Sequence, residues 1–223
     1  MKKRLVIDRA IAFSLGLLAL GFYLYPKTFL IPTPEVDRVL DFLGIVLIIK
    51  GIMIRAAARG HKRNFPRWDL VLTGPYAYMR NPMYVGSFTA GCGMVLVACP
   101  WWLLPIFATA FYFRFNQEVV KEEEQLIGCH KENYKAYCQK TPRIFPRLKT
   151  IWTAKTKDIF PFEDMLSTQE TRNLLVLPFV AFIFDCVQAW RLFGHVNVGE
   201  NALFFLGSIF IFIVAFAISY KVR

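Results

Sequence analysis

Residues 83–115 read MYVGSFTAGCGMVLVACPWWLLPIFATAFYFRF. Two apolar runs, Met83–Val97 and Trp101–Phe115, are separated by three residues ending in Pro100, and Arg114 is the single charge among them. A connection that short makes the two runs antiparallel neighbours, so the stretch reads as a helical hairpin at membrane depth. Working outward, the same pattern recurs on both sides. Upstream lie Ala10–Tyr25 and Val36–Ala58, the latter with Lys50 as its odd residue; downstream lie Leu174–Trp190 and Ala202–Tyr220. Ala10–Tyr25 follows Met1-Lys2-Lys3-Arg4 in the manner of a signal peptide, but bulky Tyr23-Leu24-Tyr25-Pro26 replaces a small-x-small cleavage site, so a retained first span is expected. Between the hairpin and the last pair, Asn116–Gln139 is polar, with Val119, Val120, Leu126 and Ile127 at helical spacing: an amphipathic helix outside the bilayer.

The expected fold is therefore all-α: a polytopic membrane protein of about six transmembrane helices, with a four-helix core containing the hairpin and a C-terminal two-helix extension. Residues 1–149 form the core, 150–172 a polar linker and 173–223 the terminal helix pair. Lys and Arg cluster in the segments on one side of that topology, leaving only Lys27, Arg38 and Arg191 in loops on the other. The positive-inside rule then puts both termini, the amphipathic helix and the basic loops in the cytoplasm.

Composition agrees. The 223 residues are 56% hydrophobic and 19% charged, with mean hydropathy +0.39, which excludes a disordered chain and leaves too much apolar surface for a soluble globule. The net charge of +11 sits between apolar runs, as at an anionic membrane surface, and not in a nucleic-acid-binding face. Cys92, Cys99, Cys129, Cys138 and Cys186 make no C-x-x-C pair, so neither a metal site nor a disulfide framework is indicated.

Chemistry concentrates in two cytoplasmic stretches. In the first, Asp69 to Gly86, the pairs Gly74-Pro75 and Asn81-Pro82 mark turns, and Asn81 caps a helix that Pro82 begins. Tyr76, Tyr78, Tyr84 and Arg80 gather at that helix entrance, either as an interfacial aromatic belt with a snorkelling arginine or as a binding site. In the second, Glu122-Glu123-Glu124 point in three directions about 100° apart around a helix, so one can face inward; Glu123 and Glu124 read as solvated charge. Tyr134, Tyr137 and Pro142-Arg143 follow.

Together these stretches resemble the isoprenylcysteine carboxyl methyltransferase-like family, which includes phospholipid N-methyltransferases. Thr73-Gly74-Pro75-Tyr76 through Arg80-Asn81-Pro82-Met83-Tyr84-Val85-Gly86 is similar to its G-x-Y-x-x-x-R-H-P-x-Y-x-G signature. Glu122-Glu123, Leu126, Tyr134, Tyr137 and Pro142-Arg143 are similar to its E-E-x-x-L, Y-x-x-Y and V-P-R signature. The resemblance covers about residues 36–146. It implies an integral membrane enzyme that transfers a methyl group from S-adenosylmethionine, held in a cytoplasmic pocket, to a lipidic or membrane-embedded acceptor: the carboxylate of an isoprenylcysteine-like group or the amine of a phospholipid head. By motif position, cofactor contacts fall on Trp68, Asp69, Leu70, Val71, Tyr76, Asn81, Pro82, Met83, Tyr84 and Glu122. A carboxylate suits the cofactor ammonium, phenol faces suit the sulfonium, and a helix start suits the carboxylate.

The sequence departs from the signatures at three positions. Asn81 replaces the family histidine and cannot titrate near neutral pH. Glu118 stands where the isoprenylcysteine enzymes place an arginine for the acceptor carboxylate, with Arg114 one turn back as a substitute. Lys131 replaces a glycine before Y-x-x-Y. Glu118, Arg114 and Arg80 are the candidate catalytic residues; no metal ligands are expected. In the tail, Asp185 and Gln188 share a helix face at lipid depth, where an acid is functional or paired; Lys50 is a candidate partner, and a helix-packing or homo-oligomer role for the tail is the other reading. A non-enzymatic membrane scaffold or transporter, or an NADPH-dependent reductase of similar architecture, remain as alternatives.

Overall fold

The computed structural model describes residues 33–66, 68–147, 159–160, 165 and 170–222. The first expected span, Ala10–Tyr25, and nearly all of the expected linker lie outside the described residues. Those described form five helices and no strand: α1 (Pro34–Arg63), α2 (Pro82–Ala98), α3 (Leu104–Lys140), α4 (Glu170–Phe193) and α5 (Val198–Val222). By length and composition one helix, α5 over Val198–Ile218, suffices to cross a membrane, and α2 is a shorter apolar helix.

α1 starts as its sequence dictates, with Thr33 extended before it and Pro34 in the first turn, where a missing N–H costs nothing. Its 30 residues, about 45 Å at 1.5 Å each, carry it beyond the expected end at Ala58 and deliver His61 and Lys62 to the far end of the bundle. α1 and α2 pack backbone to backbone. A Cβ on Gly51 would lie 2.4 Å from the Ala90 nitrogen and 2.6 Å from the Gly86 carbonyl; one on Gly93 would lie 2.4 Å from the Gly44 carbonyl. Small residues thus let the helices approach closely, as in membrane helix pairs. Ile45, Ile48, Ile52 and Val97 fill the space beside them and are fully buried.

The α2–α3 hairpin turns at Pro100 and a short 3-10 turn, Trp101–Leu103, as read from the sequence. The separate amphipathic helix does not exist as such: the second hairpin arm and that helix are one, Leu104–Lys140. Nothing at residues 115–116 stops it, because no proline or glycine stands there and the Asn116 side chain is used elsewhere, accepting from Arg143 Nη1 at 3.0 Å. The break comes later, at Lys131, with φ 40° and ψ −110°. Along α3, Phe107, Phe111 and Phe115 recur every fourth residue and form a ring ladder against α2; Phe111 and Phe115 stack at 4.0 Å and Tyr84 meets Phe115 edge-on at 5.4 Å.

α4 and α5 pack on α1, with Ala181 and Phe205 in the core and Met165, inside the expected linker, buried against it. The candidate Lys50–Asp185 pairing is not made. Lys50 is exposed, and Asp185 accepts from Asn201 Nδ2 at 2.9 Å beside the buried Asp41. Gln188 Nε2 donates to Asp37 at 3.3 Å. Asp185 and Gln188 do share a face, but it turns toward the acids of α1 and the start of α5, a helix turn and more away from Lys50.

Candidate functional site

The site is built at the end of the bundle where α1 stops, residues 64–81 cross over, and α2 begins. Asn64 ends α1, and Pro66 prevents its continuation. Gly74 has φ +59°, and a Cβ there would lie 2.8 Å from the His61 ring, so the turn needs glycine on both counts. The short 3-10 turn Gly74–Ala77 then presents Tyr76, and Pro82 opens α2 with Asn81 before it.

Opposite stands α3. Between them lies a cleft of about 920 Å³, within the ~300–1,000 Å³ usual for small-molecule sites. Trp68, Asp69, Leu70 and Val71 line one wall, Tyr76 the base, and Asn81, Pro82, Met83 and Tyr84 the entrance of α2. Glu122 faces them from α3 and accepts a hydrogen bond from the Tyr84 hydroxyl at 2.8 Å. All ten residues singled out for cofactor contact thus line one cavity. Of the three candidate catalytic residues, Arg80 and Glu118 line it and Arg114 does not. Arg114 lies 3.6 Å from Glu118 on its own helix, beside the Phe115 ring, and Lys121 Nζ reaches the same Glu118 oxygen at 3.4 Å.

The next glutamate corrects the reading of the acidic run. Glu124 is exposed, as expected of solvated charge, but Glu123 is not: its side chain is 16% exposed and sits between two arginines. Arg80 Nη1 lies 3.2 Å from one carboxylate oxygen and Arg143 Nε 3.2 Å from the other. Asn81 Nδ2 donates to Glu123 at 3.4 Å and to the Arg143 carbonyl at 3.1 Å. Arg80 also donates to Cys138 Sγ at 2.7 Å. Burial opposes its charge, but Glu123, Cys138 and Tyr134 outweigh that and raise its pKa. Arg80 is therefore the partner of Glu123, not a snorkelling surface cation. Burial also raises the phenols of Tyr76, Tyr134 and Tyr137, keeping them neutral donors, and lowers the Lys62 ammonium.

A second cavity, about 250 Å³, opens between α2 and α3. Its walls are Val85, Phe88, Ala108, Phe111, Tyr112, Phe115, Val119, Ile144 and Phe145; its polar end holds Asn116 and Arg143; and it shares Asn81 and Tyr84 with the larger cleft. Sequence reasoning missed this groove. The signal was the i, i+4, i+8 spacing of Phe107, Phe111 and Phe115, which puts aromatic rings on one face of α3. Among the described residues no group of His, Cys, Asp and Glu is arranged to hold a metal ion.

The model of the phospholipid methyltransferase family matches residues 39–129. Similar proteins include the protein-S-isoprenylcysteine O-methyltransferase of Xenopus laevis, 24% identical over 156 residues, which are 66% of this chain and 54% of that one. The human protein of that name is 28% identical over 134 residues, 53% of this chain and 46% of that one. The nickel-cobalt-cadmium resistance protein NccN of Alcaligenes xylosoxydans xylosoxydans is 32% identical over 88 residues, 40% of this chain and 41% of that one. The matches span about half the length of these curated relatives. No solved structure matches. The resemblance read from the two motifs is borne out by the family model and by these relatives.

Proposed function

We propose that the protein is an integral membrane methyltransferase that takes its methyl group from S-adenosylmethionine and gives it to an amphiphilic acceptor embedded in the bilayer. The observation that carries this reading is the junction of two unlike cavities: a large cleft set with charged side chains and an apolar groove, which share Tyr84 and Asn81. A reaction between a charged, water-soluble donor and a lipid needs such a junction.

The donor set fits the cofactor. The Glu122 carboxylate suits its ammonium, the neutral phenols of Tyr76 and Tyr84 suit its sulfonium, and Trp68, Leu70 and Val71 offer flat apolar walls for adenine. The Met83 amide, in the first turn of the 17-residue α2, suits its carboxylate. When bound, the cofactor supplies an electrophilic methyl group for in-line displacement. The chain's own part is alignment and exclusion of water. Tyr84, held by Glu122, forms the wall where the cavities meet, and the ring ladder of α3 holds an apolar tail in line with it.

At the polar end of the groove two arginines share one carboxylate, Glu123, and leave one positive charge over. Arg143 lines the groove, with Nη1 held by the Asn116 side chain at 3.0 Å. This supports an acceptor with an anionic head, such as a carboxylate, which needs no base. A second reading, an amine head, is favoured by Glu118 and Glu122, which line the donor cleft and can take a proton. The basic segments flanking the cleft support a cytoplasmic active site with both termini inside.

Calorimetric titration of the full chain in detergent with S-adenosylhomocysteine, with NADPH as control, tests the reading. Saturable binding of the first, weakened at least tenfold in Glu122→Ala with the melting temperature unchanged, is expected. Binding of NADPH instead would make it a reductase, and binding of neither a scaffold. Methyl transfer to a farnesylated cysteine carboxylate, set against transfer to phosphatidylethanolamine, then separates the two acceptor heads.

A further inference from the structure

Residues 64–81 carry half of the donor cleft, yet among those described only the 3-10 turn Gly74–Ala77 is regular. Carbonyls in such a segment have no ladder to join and must find other donors. Three of them are met by side chains from the flanking helices. Lys62 Nζ, from α1, donates to the Asp69 carbonyl at 2.6 Å. His130 Nε2 and the Tyr137 hydroxyl, both from α3, donate to the Trp68 and Tyr76 carbonyls, each at 2.6 Å.

The His130 contact differs from the Tyr137 contact in lying at the surface, and from the Lys62 contact in reaching from α3 and not from the neighbouring end of α1. Trp68 is 46% exposed and stands outside the core, so the bond links two surface elements across the cleft and not two packed ones. It is also made by the last residue before the backbone break at Lys131, where α3 divides into the arm bearing Glu118 and Glu122 and the arm bearing Tyr134 and Tyr137. A carbonyl brings no proton, so the imidazole must supply it from Nε2. The protonated ring donates equally, so the contact does not depend on the charge of His130.

We propose that His130 is a positioning residue for the methyl donor. Its Nε2–H bond to the Trp68 carbonyl ties the connecting segment to α3 and sets where Trp68 and Asp69 stand in the cleft. This rests on the reading of the cleft as a donor site. It predicts a residue that touches no substrate, lies outside the core, and yet controls donor affinity.

The test compares wild type, His130→Ala and His130→Gln, each as the full chain in detergent; the glutamine amide reaches a similar distance and also donates. S-adenosylhomocysteine affinity should fall about tenfold in His130→Ala and return to within about threefold in His130→Gln, as expected for one hydrogen bond gained or lost. Melting temperatures without ligand should agree within about 2 °C. Hydrogen exchange at the Asp69 amide, which is bonded to the Pro66 carbonyl, should speed up in His130→Ala alone, with no ligand present. Unchanged affinity in His130→Ala, or equal loss in both variants, overturns the proposal. If wild type binds no S-adenosylhomocysteine, the donor reading falls and this role with it, while the exchange data still report whether the bond orders the segment.

Discussion

The contact between α1 and α2 and the segment that joins them are held together in opposite ways. Along Gly44, Gly51, Gly86 and Gly93 two regular helices touch through their backbones, with no room for a Cβ at the contact. Fifteen or so residues on, the chain is irregular, and single side chains such as Lys62 and His130 pin it carbonyl by carbonyl. In the first region every helical hydrogen bond is internal, so closeness is limited only by bulk. In the second the backbone bonds are few and local, such as Asp69 to Pro66, so position depends largely on a few polar side-chain atoms beside the cleft. The first region sets where the helices stand, and the second sets what they can hold.

The largest effect should come from adding bulk to the first region. Gly51→Val places a Cβ 2.4 Å from the Ala90 nitrogen, with backbone on both sides and no flexible side chain to yield. Overpacking of this kind costs about 3 kcal/mol or more. In a chain of this size that lowers the melting temperature by about 6–12 °C, or prevents accumulation in the membrane. A thermal melt in detergent decides. An unchanged midpoint would mean that the helices are held by something other than backbone contact, and the comparison would lose its first half.

The next effect belongs to Glu123, which mixes the two modes. It is polar and single, like the fasteners of residues 64–81, but it is buried like the core. Glu123→Gln strips the countercharge from Arg80 and Arg143 at once. Removing one partner of a buried ion pair costs about 3–5 kcal/mol; the amide keeps one acceptor oxygen, so about 2–3 kcal/mol is expected here. Glu122→Ala, one residue away, should leave the melting temperature alone and act on the donor. Two adjacent glutamates, one lost from stability and the other from affinity, would separate fold from function on a single helix turn. Equal melting temperatures for the two variants would blur that line.

How much of this was legible beforehand follows the same division. The lining of the cleft was legible because its residues sit in order along the chain: Trp68 to Val71, Tyr76 and Asn81 to Tyr84 are local, and turn chemistry at Gly74 and Pro82 fixes their directions. The hairpin at Pro100 was readable for the same reason. What failed was long range. Glu122 and Glu123 are equivalent as letters in a charge run, and only the docking of Arg80 and Arg143, from residues 43 and 20 positions away, distinguishes them. For Asp185 the sequence offers Lys50 only as a candidate, whereas its neighbours are an asparagine on the next helix and an acid on α1. The apolar groove needed α2 and α3 side by side. Arg114 was expected at the site from a one-turn offset on α3, but its guanidinium is spent on Glu118 beside Phe115.

The smallest effect is a gain. Lys131 holds φ 40° and ψ −110°, a backbone region that side chains avoid, and its own side chain is exposed. Strain of this kind costs about 1–3 kcal/mol. A glycine would remove it but adds freedom to the unfolded chain, worth about 0.5–1 kcal/mol in the other direction. Lys131→Gly should therefore stabilise by about 1 kcal/mol and raise the melting temperature by about 2–4 °C. Lys131→Ala, which keeps the Cβ and hence the strain, should not. Lys131 stands where the motif that the sequence resembles has a glycine, the residue this backbone would take without strain. The break is needed because a straight α3 would swing Tyr137 away from the Tyr76 carbonyl and open the base of the cleft. If both variants melted like wild type, the turn would be unstrained, and the cleft end of the molecule would be as relaxed as the glycine-packed body it is set against.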